Sequence, residues 1–447
     1  MRINCINKKI PGLISWVCIS LSICACGHVD ESLEKAQAVV DEVAAGMQEA
    51  VSDATTEYLN DDGSYDGVEY LQMDDTYQKG SDEKTISNER ALKDFKTVSE
   101  DEVMEALSRN QHLFYFSLLD TQERKVYAEI YCAIRDMRDD VTLSTLNLDR
   151  VDKAFRYVYY DHPEFYYVSG YSYTKTMLNG EPVGLAISGY YTMTESEVKA
   201  YKEYVNNYVV DFKSALADYV ENADDYNIVK FTYEYIIEHT DYDENVPHNQ
   251  SIISVMVYGN SVCAGYSKTA QYLLSECGIE STYVMGKSKD GGPHSWNLVK
   301  ADGEYYYMDV TFGDASYSLN GASDELAQSL PKVNYNYMLM DYKETAANHI
   351  FDDEDIMPKT TANADNYFIR EGLYFTDVNK DQLSSAFNNA YFRNDEYVML
   401  KMDSLETYEA VWDYLLNQQK VFDYLQNQDG TVSYAQSKDQ LYMIFWI

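Results

Sequence analysis

Apolar positions begin to recur with a regular period once the chain has passed Val98. Val103 and Leu107, then Val126, Ile130 and Ile134, keep helical spacing, so residues 99–139 read as helical; residues 149–160 read as another helix, ending before Asp161-His162-Pro163-Glu164-Phe165. The period then falls to that of a strand. Residues 165–174 and 183–192 are rich in Tyr, Val and Ile and are joined by a loop containing Asn179-Gly180, which predicts a hairpin. Helices are predicted over 196–221 and 225–240, with a change of domain near residue 222. Ala270, Leu273, Leu274 and Cys277 give a further helix that opens at Cys263 and stops at Gly278. Strands at 281–286, 294–299 and 304–311 follow, the first two separated by a Gly-rich loop over 287–293 and the last two by the tight turn Ala301-Asp302-Gly303. The tail predicts a strand at 367–375, a helix at 381–390, a strand at 397–402, a helix after Asp403 with Asp403 and Glu406 as its capping box, and a terminal strand ending at Ile447.

Before Val98 the pattern is different. Arg2, Lys8 and Lys9 precede an apolar run over 11–23 that is short for a bilayer span and suits a signal-peptide core, so residues 1–26 are expected to be an export signal. Ile23-Cys24-Ala25-Cys26 resembles a bacterial lipobox, which makes Cys26 the expected lipidation site; cleavage near Ala25 by an ordinary signal peptidase is the alternative. Gly27 to Arg90 holds 17 acidic and 4 basic residues, so residues 27–97 read as an acidic flexible stalk, with a short helix within 33–51 as an option. The protein is expected at the extracellular face of a bacterial membrane, anchored by lipid, or secreted.

Length and charge narrow the function. A chain of 447 residues has material for several domains: an N-terminal α+β domain at 98–222, a middle domain at 223–365 and a small α/β domain at 366–447. The formal charge of −39 opposes binding to phosphate backbones, so nucleic acid is excluded as a partner. The 44 tyrosines read as a Tyr-heavy exterior rather than a dedicated stacking site. Neither cysteine spacing nor the carboxylate runs imply a metal, and no cofactor is implied: Asp241-Tyr-Asp243-Glu-Asn245 opens like a calcium loop, but Val246 stands where Gly is needed and Ile252 where Glu is needed.

Cys132, Cys263 and Cys277 are the cysteines beyond residue 26, and Cys263 differs from the other two by opening a helix. Unpaired amides and the positive end of the helix dipole there favour thiolate over thiol, whereas Cys132 and Cys277 lie on apolar helix faces. A two-residue loop at Asp302-Gly303 pairs residues whose numbers sum to 605, which sets His294, Trp296, Asp309 and Thr311 on one face with Asp309 diagonal to His294. Cys263, His294 and Asp309 thus read as nucleophile, base and orienter, with Cys263 partly exposed. Gln250, Tyr242 and Asn260 are the side-chain candidates for an oxyanion donor beside the Cys263 amide. Trp296 and Tyr242 are candidate walls of the site. His112, His162, His239, His248 and His349 show no comparable partners and read as structural or solvated.

The runs VCAGYSKTAQYLLSECGI, GPHSWNLV and YYYMDVTFGD resemble the transglutaminase-like superfamily: a Cys opening a helix, a His-x-Trp-Asn strand and an Asp-x-Thr strand, over residues 225–316. The resemblance implies an α+β fold with a papain-like core, assigns Cys263, His294 and Asp309 as its triad, and puts Gln250, about a dozen residues before the Cys, first as oxyanion donor. The function expected is acyl transfer on peptide or protein amides at the cell surface, hydrolytic ahead of cross-linking. The alternative is a non-catalytic binding or structural lipoprotein on the same scaffold.

Overall fold

Capping chemistry sets where the first helices begin. Ser99 and Glu102 close a capping box at α1 (Glu100–Asn110), the short turn α2 (Phe114–Ser117) follows, Asp120 and Glu123 close a second box at α3 (Thr121–Arg135), and Asn147 caps α4 (Leu148–Asp161). The structure, a computed structural model, describes residues 83–86, 96–220, 223–289, 292–314, 330–426 and 431–447. All of these belong to one compact unit spanning residues 72–447. The export signal, Cys26 and most of the acidic stalk lie outside the described residues.

These helices pack with a sheet of β1 (Glu83–Ile86), β2 (Lys96–Thr97), β3 (Val141–Thr142), β4 (Val168–Leu178) and β5 (Glu181–Tyr191), in the order β1-β4-β5-β3-β2. The predicted hairpin is β4–β5, and its two turn residues both take positive φ, 52° at Asn179 and 89° at Gly180, as a right-twisted hairpin requires. β1 and β2 bring part of the stretch expected as stalk into this sheet.

The middle of the chain begins with α5 (Glu195–Tyr219) and α6 (Asp225–His239), then β6 (Asp241–Tyr242), α7 (Ile252–Met256), β7 (Asn260–Ser261) and α8 (Cys263–Glu276). β8 (Ser281–Ser288), β9 (Pro293–Ala301) and β10 (Glu304–Met308) form an antiparallel meander against α8. A helical turn α9 (Val310–Gly313), α10 (Tyr342–Asn348) and β11 (His349–Phe351) complete this part, with sheet order β10-β9-β8-β11. The pairing of β9 with β10 keeps the expected register, Glu304 against Ala301 through Met308 against Asn297. The strand expected to reach residue 311 stops at Met308, because the Asp309 side chain accepts from the Phe312 amide and starts α9.

The tail holds α11 (Tyr367–Arg370), β12 (Tyr374–Phe375), α12 (Lys380–Arg393), β13 (Tyr397–Met402), α13 (Leu405–Trp412), β14 (Tyr434–Ser437) and β15 (Tyr442–Trp446), with sheet order β12-β13-β15-β14. Three expectations change here. Residues 367–370 are helical rather than extended, since Tyr367 lies flat on Tyr335 with ring centroids 3.7 Å apart and Phe368 is buried, so packing overrides β propensity. The cap of α13 is Ser404, which accepts from the Thr407 amide, while the Asp403 backbone is drawn into β pairing with Phe375. β14 has no counterpart in the sequence reading. The tyrosines are also not chiefly exterior: Tyr115, Tyr127, Tyr171, Tyr233, Tyr266, Tyr283, Tyr306, Tyr307 and Tyr442 are among the largest fully buried side chains.

Candidate active site

α8 starts where two serine-rich segments let its backbone come close. A methyl group on Gly265 would meet Ser261 Oγ at 1.9 Å, Ser254 Oγ at 2.6 Å and the Ser251 carbonyl at 2.9 Å, so only glycine fits at the third residue of the helix. Val262, in the capping position, supplies no side-chain cap, and the first helical residue is Cys263. The thiol is buried, 1% exposed, rather than partly exposed as expected.

β9 faces this helix start. Asn297 Nδ2 donates to the Ser267 carbonyl at 2.9 Å, tying the strand to α8 one turn past Cys263. On the same strand His294 is buried, and its Nε2 lies 2.6 Å from Asp309 Oδ2. Cys263 is the other side chain that acts on the imidazole. Burial alone would lower the basicity of His294, but the Asp309 charge and hydrogen bond, followed by Cys263, outweigh it and raise the imidazole to about 10. Phe312 stacks on the ring with centroids 4.3 Å apart, which fixes its plane.

Asp309 is fully buried at the junction of β10 and α9. Its Oδ1 accepts from the Phe312 amide at 3.0 Å, and its Oδ2 faces two imidazoles, His294 at 2.6 Å and His349 at 2.8 Å. Burial would push the carboxyl up, yet the two histidines overcome it and hold Asp309 well below the usual carboxylate range.

His349 is the residue that sequence reasoning missed. It opens β11, is buried, and reaches Asp309 because β11 pairs with β8, itself paired with the strand that carries His294. Its reading as a histidine without a comparable partner is therefore corrected. Among the described residues, His294, Asp309 and His349 form the one group of His, Cys, Asp and Glu close enough to share an ion, with one donor atom of each lying within 4.8 Å of the others. Those atoms already face one another across the two His–Asp hydrogen bonds.

The remaining candidates fall as follows. Trp296 is wholly buried behind the pair, with its ring 6.0 Å from His294 and 4.5 Å from His349, so it backs the imidazoles from the core side. Tyr242 is half-exposed beside the strand that leads into α8, and its phenol is pushed up to about 12, first by burial and then by Cys263. Gln250 is half-buried; its main-chain carbonyl accepts from Lys268 Nζ at 3.1 Å, and its side-chain oxygen is buried without a partner. Asn260 Nδ2 donates to the Tyr258 carbonyl, which commits that amide to the main chain. Thr311 leaves the strand face predicted for it and lies within α9.

Comparison with known proteins bears on this region. No curated protein matches the chain in sequence. Among solved structures, a protein described as a TGase matches with 16% identity and a TM-score of 0.23, over 37% of this chain and 50% of its own. A candidate cysteine protease from Cytophaga hutchinsonii matches with 14% identity and a TM-score of 0.21, over 23% of this chain and 37% of its own. The chain thus spans half the length of the first and just over a third of the second. The family model of the transglutaminase-like superfamily matches residues 214–310, the segment that contains Cys263, His294 and Asp309. That match supports a transglutaminase-like core of mixed helices and strands at the centre of the chain, and with it a cysteine-enzyme class.

Proposed function

We propose that the chain is an exported cysteine acyl-transfer enzyme acting on peptide or protein amides, with Cys263 as nucleophile, His294 as base and Asp309 as orienter. The observation that supports this reading is the buried His294–Asp309 pair at 2.6 Å, with Cys263 among the groups that raise the imidazole and placed at the start of a helix with no side-chain cap. Cys263 Sγ attacks the amide carbon as a thiolate. The tetrahedral oxyanion is held by the Cys263 amide and, as second donor, the Gln250 side chain. The C–N bond then breaks as His294 gives its proton to the departing amine, leaving a thioester. Water, deprotonated by His294, attacks the thioester carbon and releases the acid and the thiol. Hydrolysis is favoured over transamidation because water is the default acceptor. Half-exposed Tyr242 marks the side from which the substrate chain approaches. A lipid on Cys26 would hold the enzyme at the outer membrane face.

Alkylation tests the nucleophile without a known substrate. Iodoacetamide at pH 6 should modify Cys263 ahead of Cys132, which burial pushes up to about 11, and of Cys277, also raised by burial. His294→Ala should slow that labelling at least tenfold. Equal labelling of all three thiols would favour the non-catalytic lipoprotein scaffold instead. Comparing surface-protein digests from cells carrying wild type or Cys263→Ala then identifies the reaction: new termini indicate hydrolysis, and isopeptide-linked pairs indicate cross-linking. Cys26→Ser should release the protein from membranes, and unchanged fractionation would remove the anchor from the proposal.

A further inference from the structure

Two hydrogen bonds fix what His349 must carry. Its Nδ1 lies 3.0 Å from the Thr345 main-chain carbonyl, an atom that can only accept, so Nδ1 bears a hydrogen. Its Nε2 lies 2.8 Å from Asp309 Oδ2. Asp309 already accepts from the Phe312 amide and faces His294, and its carboxyl is held well below the ordinary range, so it too is an acceptor there. Both ring nitrogens of His349 therefore need hydrogens. The titratable groups facing the ring are Asp309, from the β10–α9 junction, and His294, from β9, whose ring centroid is 5.4 Å away. Trp296 and Phe312 also lie against the ring and carry no charge.

We infer that His349 is a buried imidazolium that shares the Asp309 carboxylate with His294, a positioning residue that moderates the basicity of the catalytic imidazole. Net charge gives the physical reason. With Cys263 as thiolate, His294 protonated and Asp309 ionised, the buried cluster carries an excess negative charge, and a cation at His349 brings it to neutrality. The same cation draws part of the carboxylate's field away from His294. Without it, the His294 proton is held more tightly and is less readily given to a leaving amine.

This inference rests on the acyl-transfer reading for its consequence, but its structural content can be read separately. In the wild-type protein labelled with 15N in its histidine rings, the ring assigned to His349 by its contacts with the Trp296 indole should show two protonated nitrogens at pH 7.5. A neutral ring with one bare nitrogen would overturn the inference, whatever the fate of any variant. His349→Gln keeps a donor toward Asp309 and removes the charge. The alkaline transition in Cys263 alkylation, which reports the His294 imidazolium, should then move up by on the order of one pH unit. His349→Lys, which restores a cation, should bring it back toward the wild-type value. A folded His349→Gln protein with an unmoved transition would overturn the inference, since a merely structural histidine would alter stability alone. If wild-type Cys263 is no more reactive than Cys132 and Cys277, the acyl-transfer reading fails, and the nitrogen spectrum still decides the charge of His349.

Discussion

Two buried bases near the site titrate in opposite directions, and each makes stability depend on pH in its own way. Lys268, five residues after Cys263, is buried with its Nζ 2.6 Å from Tyr159 Oη and 3.1 Å from the Gln250 carbonyl, and burial pulls it down to about 7. The unfolded chain binds this proton up to about pH 10.4 and the folded chain only to about 7, so the penalty is complete below pH 7 and fades as pH rises toward 10.4. Lys268→Met should therefore be more stable than wild type at pH 6, with the gap narrowing at about 1.4 kcal/mol per pH unit above 7; urea midpoints at pH 6 and pH 9 check it. A gap that widens toward pH 9 would contradict the assignment. His294 behaves in the reverse sense. Its imidazole is raised to about 10, so the stability it contributes is complete below its unfolded value near 6.5 and is lost as pH rises through 10. The advantage of wild type over His294→Gln should accordingly shrink between pH 6 and pH 10 in the same urea series. Cys263 adds a third residue-level expectation: at 1% exposure its thiol does pack, so Cys263→Ala should cost on the order of 1 kcal/mol, yet abolish turnover entirely.

Elements meet at this site through glycines, and those contacts say how far the sequence could be read. A methyl on Gly286, in β8, would lie 2.1 Å from the Ile350 carbonyl and 2.7 Å from the Trp296 ring. Gly286→Ala should thus force β11 away from β8, carry His349 off Asp309, and destabilise by roughly 2–4 kcal/mol, through backbone overlap that no rotamer change relieves. Gly265→Ala should act on the other side, displacing the first turn of α8 from the Ser251–Ser261 segment; its Cys263 alkylation rate should fall with the melting temperature rather than independently of it. The helix start at Cys263, the Asp302-Gly303 turn and the β9–β10 register were legible because each depends on neighbours within a few residues: Asp302 and Gly303 take φ of 48° and 87°, and the pairing follows from them. The end of β10 was not, since Asp309 forsakes the strand to cap α9, a choice that rests on one local cap and two tertiary contacts at one carboxylate. His349 was still further from view. Its strand has three residues, too few to show a period, and its partner Asp309 is 40 positions away, with only the pairing of β11 on β8 to bring them together.

At the scale of the whole molecule, the tyrosines explain why a chain of charge −39 can hold its parts together without matching charges across every seam. Their rings fill the core, and several of their hydroxyls, those of Tyr115, Tyr159 and Tyr233 among them, reach partners on other segments. Tyr115 Oη donates to the Tyr283 carbonyl at 2.9 Å and Lys268 Nζ donates to Tyr159 Oη, while Gln271 Nε2 adds a bond to the Tyr160 main-chain carbonyl at 2.9 Å, joining α2 and α4 to the site helix and its sheet. On the other side, Tyr335 stacks on Tyr367, Arg370 pairs with Asp224 at 2.7 Å, and Tyr226 Oη donates to Glu371 at 2.9 Å. A fragment limited to residues 223–365 would keep Cys263, His294 and Asp309 but strip Lys268, Gln271 and the Tyr283 carbonyl of these partners. Each buried polar group so exposed or orphaned costs about 1–3 kcal/mol, and the apolar faces of Tyr283 and Tyr335 would be opened to water in the same step. Summed over three such groups, that loss is comparable with the roughly 5–15 kcal/mol that holds a typical domain folded. The fragment is therefore expected to show no cooperative transition in scanning calorimetry, whereas residues 98–447 should unfold in one transition that includes the site. A fragment that melted cooperatively near the temperature of the longer chain would mean that the flanking segments sit on a core already complete, and their tyrosine contacts would then have to be explained by function rather than by stability.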